Sequence, residues 1–502
     1  MHSNNGNQIG VLEAISYCIG DIIGSVNLKI SYFCVTGCYL SSLLFNRFIP
    51  DHMDLWSIDC RNWMVILCSK TIRLLIFSFI YVELGTKIRR SGCDFAYLSE
   101  ARWKVVAVPF LYVSCGLIYP TILAIQMLGF GLVYVSTRQQ YESFYREYLV
   151  NGFAKLIHLE SPYIEVLQRL TGFMAVLLIC SLNLFSLKTF ASRFQIIVTI
   201  SKFLVMGLII VTGFYYLIFK GGATAFKSPF AGSRTTNPGE VVLGLYASLF
   251  AYNGWDILNF GTEEIENPRK TLPIAGISGI LAALVSYLLM NIAYFSVLSI
   301  EDFTSTDAVA VFLFLIALLL LGNLNSTIFG CSRYVLSGAN SGYFPSFLRT
   351  IHPNYNSPRA AVLVEVFIAI GISFLGDLDQ LLSYMSFAMW CQRLLVQFAL
   401  IYMRFQPERF PYPKDAFVVP LVLPFLFICV CLGLLVVPLT KNYFVGLYAG
   451  VLILVGLIVY FTFIYPNVQP NFFRKVDHVL VVASQLLLNV ELKNSTEKND
   501  AM

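Results

Sequence analysis

Residues 250–256 read Phe250-Ala251-Tyr252-Asn253-Gly254-Trp255-Asp256, in the middle of an apolar segment long enough to cross a membrane. Asn, Gly and Asp suit a lipid-facing helix poorly, because lipid offers no partners to polar side chains or to a freed backbone. Such a stretch is tolerated where an interrupted helix faces protein or a watery cavity. The sequence therefore predicts a broken helix here, with Asp256 as a candidate substrate-binding residue. A solvated carboxylate near the cytoplasmic end, beside Glu263 and Glu264, is the open alternative.

A second candidate break lies near the start of the chain, where residues 20–25 read Gly20-Asp21-Ile22-Ile23-Gly24-Ser25. Glycine lets the backbone unwind and a ligand approach closely. Backbone amides freed at a half-helix N-terminus can bind a carboxylate, and freed carbonyls can accept from an ammonium group. Helix packing through small residues is the alternative. The two breaks fall in the first and sixth apolar segments, a spacing that predicts an inverted five-helix repeat with its site at the midplane.

The composition indicates a polytopic membrane protein. The 502 residues are 57% hydrophobic and 13% charged, whereas soluble domains average about 45–50% and about 25%. A membrane-spanning helix needs about 20 mostly apolar residues. Twelve segments satisfy this approximately: 9–30, 62–86, 105–135, 168–187, 193–219, 240–260, 272–298, 307–329, 358–376, 380–403, 417–438 and 443–465. The expected fold class is an all-α polytopic membrane protein with about twelve transmembrane helices.

The distribution of charge predicts the topology. Lys and Arg concentrate in the loops that are cytoplasmic if the N-terminus is cytoplasmic, although the extracellular loop 136–166 also carries some. The expected organisation is a cytoplasmic tail over 1–8, a transmembrane domain over 9–465 and a cytoplasmic segment over 466–502. Within the last segment, residues 478–490 are expected to form an amphipathic helix on the membrane surface.

Neither enzyme chemistry nor a cofactor is predicted. The chain has no Walker loop, no Ser/His/Asp arrangement and no HExxH sequence. Its twelve cysteines are scattered, and none has metal-ligand spacing with a nearby His. The formal net charge of +5 includes no long basic run that would bind nucleic acid. The sequence therefore predicts no catalytic residues, no metal and no nucleic-acid partner; the lipid bilayer is the expected environment.

The longer stretch 245–273 closely resembles the sixth-helix signature of the L-type amino-acid transporters, the light-chain members of the amino acid–polyamine–organocation superfamily. Residues 245–273 read LYASLFAYNGWDILNFGTEEIENPRKTLP. Shorter segments are also similar to this family: 81–86, 91–97, 307–311 and 342–345. The resemblance covers about residues 10–25 and 80–490, which is most of the chain.

The resemblance implies a LeuT-type fold with broken first and sixth helices, and sodium-independent amino-acid transport, often by exchange, at the plasma membrane. At the matching positions, backbone amides would bind the substrate carboxylate and backbone carbonyls its ammonium group. The Phe250 ring would close over the occupied site, and further side chains would shape the pocket. The implied substrate-binding residues are Ile22, Ile23, Gly24, Ser25, Phe250, Ala251, Asn253, Trp255, Asp256 and Trp390.

Asp256 bears on the choice of substrate. Its position resembles one at which members that exchange cationic for neutral amino acids carry Asp, whereas neutral-only members often carry Asn. A desolvated carboxylate near the pocket would attract a Lys or Arg side chain. The resemblance therefore implies transport of neutral amino acids and a further hypothesis that cationic ones are carried too.

The chain also departs from the family pattern. The family's first helix usually continues Gly-Ser-Gly-Ile-Phe, but Val26 stands at the third of these positions, and residues 26–76 show no likeness. Loop 136–166 lacks the Cys that usually bonds these light chains to a heavy chain. A disulfide-linked heavy chain is therefore not expected, while a non-covalent partner stays open. Two alternatives also stay open: a polyamine or organic-cation carrier of the same superfamily, and a non-transporting divergent or mis-spliced membrane protein.

Overall fold

The computed structural model of the chain describes residues 8–23, 76–131, 161–185, 190–220, 254–297, 310–374, 378–413, 416–441, 443–466 and 471–492. These residues are predominantly helical. Their α-helices, in chain order, are α1 Val11–Ile22, α2 76–87, α3 Cys93–Glu100, α4 Lys104–Gly131, α5 Ser161–Leu184, α6 Ser192–Phe219, α7 Pro268–Val297, α8 Ala310–Asn340, α9 Arg359–Ile372, α10 Leu378–Phe405, α11 Val422–Lys441, α12 Tyr443–Val459 and α13 Asn471–Leu488.

Short elements connect these helices. The 3₁₀ helix Ile257–Glu264 leads towards α7, and the 3₁₀ helix Ser346–Arg349 follows α8. Strands β1 (Thr350–Ile351) and β2 (Glu491–Leu492) pair antiparallel, with Thr350 opposite Leu492. This small ladder ties the chain after α8 to the C-terminal end of α13.

Several helices can cross a membrane. Within the described ranges, four are long and apolar enough: Lys104–Gly131, Val166–Leu184, Ser192–Phe219 and Pro268–Met290. Two shorter apolar helices, Val422–Val436 and Gly446–Thr462, accompany them. The expectation of a helical, multi-pass membrane protein is therefore confirmed, whereas the count of twelve spans and the inverted repeat stay predictions.

Some element boundaries differ from those predicted. Helix α1 ends at Ile22, inside the stretch 20–25 where a break was predicted, and residues 24–30 of the expected first span lie outside the described residues. Helix α8 continues to Asn340, past the expected end at residue 329. The expected amphipathic segment 478–490 lies largely within α13, whose Val479, Leu486 and Leu487 side chains are exposed. Apolar composition locates a span, but the position at which a helix ends depends on local backbone contacts.

Helix α1 lies at the centre of the described structure, packed against α6, α7 and α8. A small residue at Gly20 permits this packing, because a Cβ there would lie 1.8 Å from the side-chain nitrogen of Gln195. The Gln195 amide in turn donates to the Ser16 carbonyl at 3.4 Å and to the Ser326 hydroxyl at 3.0 Å. These contacts hold the last turns of α1 against α6 and α8.

Backbone hydrogen bonds join Ile9, just before α1, to the chain that follows the sixth apolar segment. The Ile9 amide donates to the Glu264 carbonyl at 2.7 Å, and the Glu266 amide donates to the Ile9 carbonyl at 2.9 Å. Ile9 and Ile265 thus form a parallel bridge, and both side chains are buried. The backbone itself therefore keeps the two segments that contain the predicted breaks next to each other.

A buried carboxylate ties α2 to α10. Glu83 is fully buried and accepts hydrogen bonds from two nitrogens of the Arg404 guanidinium. It also accepts from the Tyr412 hydroxyl at 3.0 Å and from the Val419 amide at 2.9 Å. Four donors can compensate for the cost of removing this charge from water. Glu83 therefore fixes α2, the last turn of α10 and the chain before α11 together.

Replacing this carboxylate is expected to destabilise the fold. Glu83→Gln removes the charge and leaves the Arg404 guanidinium, itself largely buried, without its anion. Losing one partner of a buried pair costs about 3–5 kcal/mol, so the melting temperature in detergent should fall clearly. The matched control is Glu100→Gln, since Glu100 pairs with Arg90 at 3.7 Å between two exposed side chains and such pairs contribute less than about 1 kcal/mol. Equal melting temperatures for the two variants would contradict this account.

Candidate functional site: a charged cavity between the first and sixth segments

Gly254 brings the sixth segment into contact with the end of α1. Its φ of +101° lies in the left-handed region that favours glycine. A Cβ at this position would lie 2.4–2.6 Å from three atoms of the Asp21 side chain. The turn over residues 254–256 precedes the 3₁₀ helix Ile257–Glu264, so no regular α-helix passes through this point. The described part of the sixth segment is thus a turn and a 3₁₀ helix where it meets the last turn of α1.

A cavity of about 60 Å³ lies beside this contact. Its walls come from α1, α3, α4, α8, α10 and the residues that follow Gly254. The lining residues are Asp21, Asp94, Tyr119, Ile122, Ile125, Gln126, Gly254, Asp256, Ile257, Phe260, Asn323, Thr327, Gly330, Cys331, Met389 and Arg393. Three carboxylates and one guanidinium therefore meet in one small space, which is an unusual concentration of charge for the interior of a membrane protein.

Asp256 and Arg393 form an ion pair in this cavity. Nη2 of Arg393 lies 2.9 Å from Oδ2 of Asp256, and their side chains are only 5% and 7% exposed. The guanidinium carbon lies 5.0 Å from the ring centroid of Trp255 and 5.1 Å from that of Trp390. Both rings are within cation–π range. The expected alternative of a solvated Asp256 therefore does not hold, because the carboxylate is buried and paired.

The Asp21 carboxylate lies at the end of α1, beside Gly254. When the Asn323 amide is oriented so that both its ends are satisfied, its nitrogen donates to Asp21 Oδ1 at 3.1 Å and its oxygen accepts from Gln126 at 3.1 Å. Lys202 of α6 is fully buried, donates to the Gly20 carbonyl at 2.6 Å and interacts electrostatically with Asp21. The last turn of α1 is thus surrounded by polar groups of α4, α6 and α8.

Asp94 is the third carboxylate of the cavity, in the short helix α3 that precedes α4. The Tyr81 hydroxyl donates to its Oδ1 at 2.5 Å. The Tyr81 ring also packs edge-on against Trp255, with 4.7 Å between the ring centroids. Asp94 additionally interacts electrostatically with Arg393. The Tyr81 side chain therefore connects α2 to Asp94 and to Trp255.

The structure brings several of the predicted site residues together. Trp255, Asp256 and Trp390 converge on Arg393, as described above. Ile22 and Ile23 lie at the C-terminal end of α1, and the Ile22 carbonyl accepts from the Tyr287 hydroxyl at 2.9 Å. The remaining predicted residues lie outside the described part of the chain: Gly24, Ser25, Phe250, Ala251 and Asn253.

Other residues of the site were not predicted. They are Asp21, Asp94, Gln126, Lys202, Asn323 and Arg393. Three of them carried a usable signal: Asp21, Lys202 and Arg393 are charges within apolar segments, and such residues are functional candidates by default. Asp94 and Gln126 carried none, because their role depends on tertiary contacts with segments far away in sequence.

A charged cavity between interrupted and packed helices is typical of membrane proteins that bind a polar solute near the midplane. Comparison with known proteins identifies the class more closely. Residues 60–472 match the amino acid permease family, and the chain belongs to that family. It is therefore a transporter by family and not an enzyme.

The curated relatives are named as amino-acid transporters. The Caenorhabditis elegans "amino acid transporter protein 6" is 36% identical over 96% of this chain and 88% of the relative. The human cystine/glutamate transporter is 31% identical over 96% and 90%, and the human b(0,+)-type amino acid transporter 1 is 28% identical over 96% and 93%. The resemblance to the L-type light chains of the amino acid–polyamine–organocation superfamily is thereby confirmed.

The close contact at Gly254 can be tested through stability. Gly254→Ala adds a Cβ that collides with Asp21 and that is strained at φ +101°, so we expect a loss of about 1–3 kcal/mol. Gly207→Ala in α6 is the matched control, because nothing lies within 4 Å of its added Cβ and Ala favours a helix over Gly by up to about 1 kcal/mol. Thermal unfolding in detergent measures both. A Gly254→Ala variant as stable as the control would argue against the contact between the two segments.

Proposed function

We propose that the chain is a sodium-independent exchanger of neutral L-amino acids in the plasma membrane. It works by alternating access, in a LeuT-type fold of about twelve helices with both termini in the cytoplasm. Membership of the amino acid permease family and the names of its relatives support amino-acid transport. The charged cavity beside Gly254 is the observation that carries the proposal of a binding site.

The proposed pose is the one that the family resemblance implies at the matching positions. In this proposal the substrate ammonium lies by the backbone carbonyls of Ile22 and Phe250, next to Ile23. Its carboxylate accepts from the backbone amides of Gly24 and Ser25. Asn253, Trp255 and Trp390 line the side-chain pocket, with Ala251 on the adjoining backbone. The Phe250 ring closes over the occupied site.

The substrate range is set on the side of the cavity that contains Asp256. The hypothesis of cationic substrates assumes that this carboxylate is free to attract them. In the structure it is paired with Arg393 at 2.9 Å, so the proposal is limited to neutral amino acids.

A polyamine or organic-cation carrier is the second candidate. The observation that favours it is the excess of acid in the cavity lining, where Asp21, Asp94 and Asp256 face a single guanidinium. A polyamine offers ammonium groups to such carboxylates but has no carboxylate of its own. A bound polyamine would therefore offer no anion to the backbone amides of Gly24 and Ser25.

Exchange across reconstituted vesicles tests both candidates. Proteoliposomes loaded with unlabelled leucine are expected to take up labelled leucine several-fold faster than empty ones, equally in sodium and in choline buffer. Vesicles without protein are the control. Putrescine uptake without leucine exchange would support the second candidate, and uptake of neither compound would contradict transport.

The absence of a Cys from loop 136–166 also gives a test. Covalent coupling requires a partner thiol at a Cα separation below about 7 Å. Co-expressed with a heavy chain, the protein is expected to run on a non-reducing gel at the same position as on a reducing gel. A band of higher mass that disappears with reductant would contradict this prediction.

A further inference from the structure

Arg393 is a charge in the apolar helix α10 with a defined environment. The side chain is nearly fully buried and lines the cavity. One guanidinium nitrogen bonds Asp256 at 2.9 Å, and the group lies between the rings of Trp255 and Trp390. A planar cation between two aromatic rings and a carboxylate is the arrangement in which a bound Lys or Arg side chain would also be stabilised.

We infer that Arg393 is a tethered counter-ion that occupies the place of a cationic substrate side chain and so restricts the site to neutral amino acids. This inference rests on the proposed function and names the specificity-determining residue of the same site. The sequence-based hypothesis had Asp256 attract a cationic substrate side chain. In this inference its carboxylate pairs with Arg393 and does not bind the substrate.

One donor of Arg393 that lacks a partner supports this assignment. Its Nε is buried and has no acceptor within the described part of the chain. An ammonium or guanidinium group of a substrate has no acceptor to offer, whereas a neutral side chain such as that of Gln or Ser has one. A cationic side chain would also meet Arg393 as a like charge at short range, where the low dielectric of a buried site strengthens repulsion.

The other charges around the cavity show what removal of Arg393 would do. Arg393 interacts with Asp94 as well as Asp256. Lys202, the buried cation of α6, donates to the Gly20 carbonyl at the end of α1 and is not part of the cavity lining. Without Arg393, two carboxylates therefore lose the guanidinium that balances them, and a cationic substrate can supply the missing charge.

The decisive variant is Arg393→Gln in proteoliposomes, measured with labelled lysine and leucine together. We expect wild-type lysine uptake to be at most about one tenth of leucine uptake, and we expect Arg393→Gln to raise the lysine-to-leucine ratio at least tenfold, which corresponds to about 1.4 kcal/mol. Asp256→Asn/Arg393→Gln should lose most of this gain, because the unpaired carboxylate is gone. Arg90→Gln, at an exposed guanidinium, is the control and should keep the wild-type ratio.

Asp256→Asn gives the reciprocal test and does not require that Arg393→Gln folds. It frees the guanidinium, so the glutamate-to-leucine uptake ratio should rise while lysine uptake stays low. The inference is overturned if wild-type protein moves lysine as well as leucine, if folded Arg393→Gln keeps the wild-type ratio, or if Asp256→Asn leaves the glutamate ratio unchanged. It is also overturned if Asp256→Asn lowers a substantial lysine uptake, since Asp256 would then attract the substrate directly.

Failure of the proposed function is distinguishable from failure of this inference. If wild-type vesicles exchange no amino acid, the proposed function is wrong. The inference about Arg393 is then tested by measuring ligand binding through thermal stability. A ligand that binds the folded state raises its stability. Lysine should then raise the melting temperature of Arg393→Gln, or glutamate should raise the melting temperature of Asp256→Asn. Neither ligand should raise the melting temperature of the wild type. Absence of both shifts overturns the inference.

Discussion

The burial of the Asp256–Arg393 pair is the constraint on which the rest of the site depends. Removing either charge alone from water is costly, and the 2.9 Å contact compensates only while α10 and the sixth segment stay together. The two tryptophans beside the guanidinium, Trp255 and Trp390, add their own attraction for the cation. The pair therefore sets the position of α10 relative to the interrupted segment and the electrostatic character of the cavity.

Pairing of buried charges recurs elsewhere in the described structure. Arg404 bonds Glu83 at the cytoplasmic end expected for α2, and Arg333 of α8 makes two hydrogen bonds to Glu264 at 3.0 and 3.1 Å. Each pair joins segments far apart in sequence. In a core made mostly of interchangeable aliphatic side chains, such pairs specify which helix faces meet. The cavity differs from these pairs because its carboxylates outnumber its guanidinium groups.

The sequence predicted the helical membrane class, because that class depends on local composition and on a long motif. It also singled out Trp255, Asp256 and Trp390, which the structure brings together around Arg393, while the break over 250–256 stays a prediction. It did not predict the partner of Asp256. Arg393 lies 137 residues further along the chain, and no periodicity links the two. The end of α8 was also missed, since a helix end depends on local backbone contacts more than on hydropathy.

The most direct test of a binding site at the two segments is a cryo-electron microscopy structure with saturating leucine. This account predicts ligand density between the end of α1 and Gly254, with the leucine side chain towards Trp255 and Trp390 and the Asp256–Arg393 pair intact. Ligand density away from the end of α1 and Gly254, or a pair broken to contact the ligand, would contradict it.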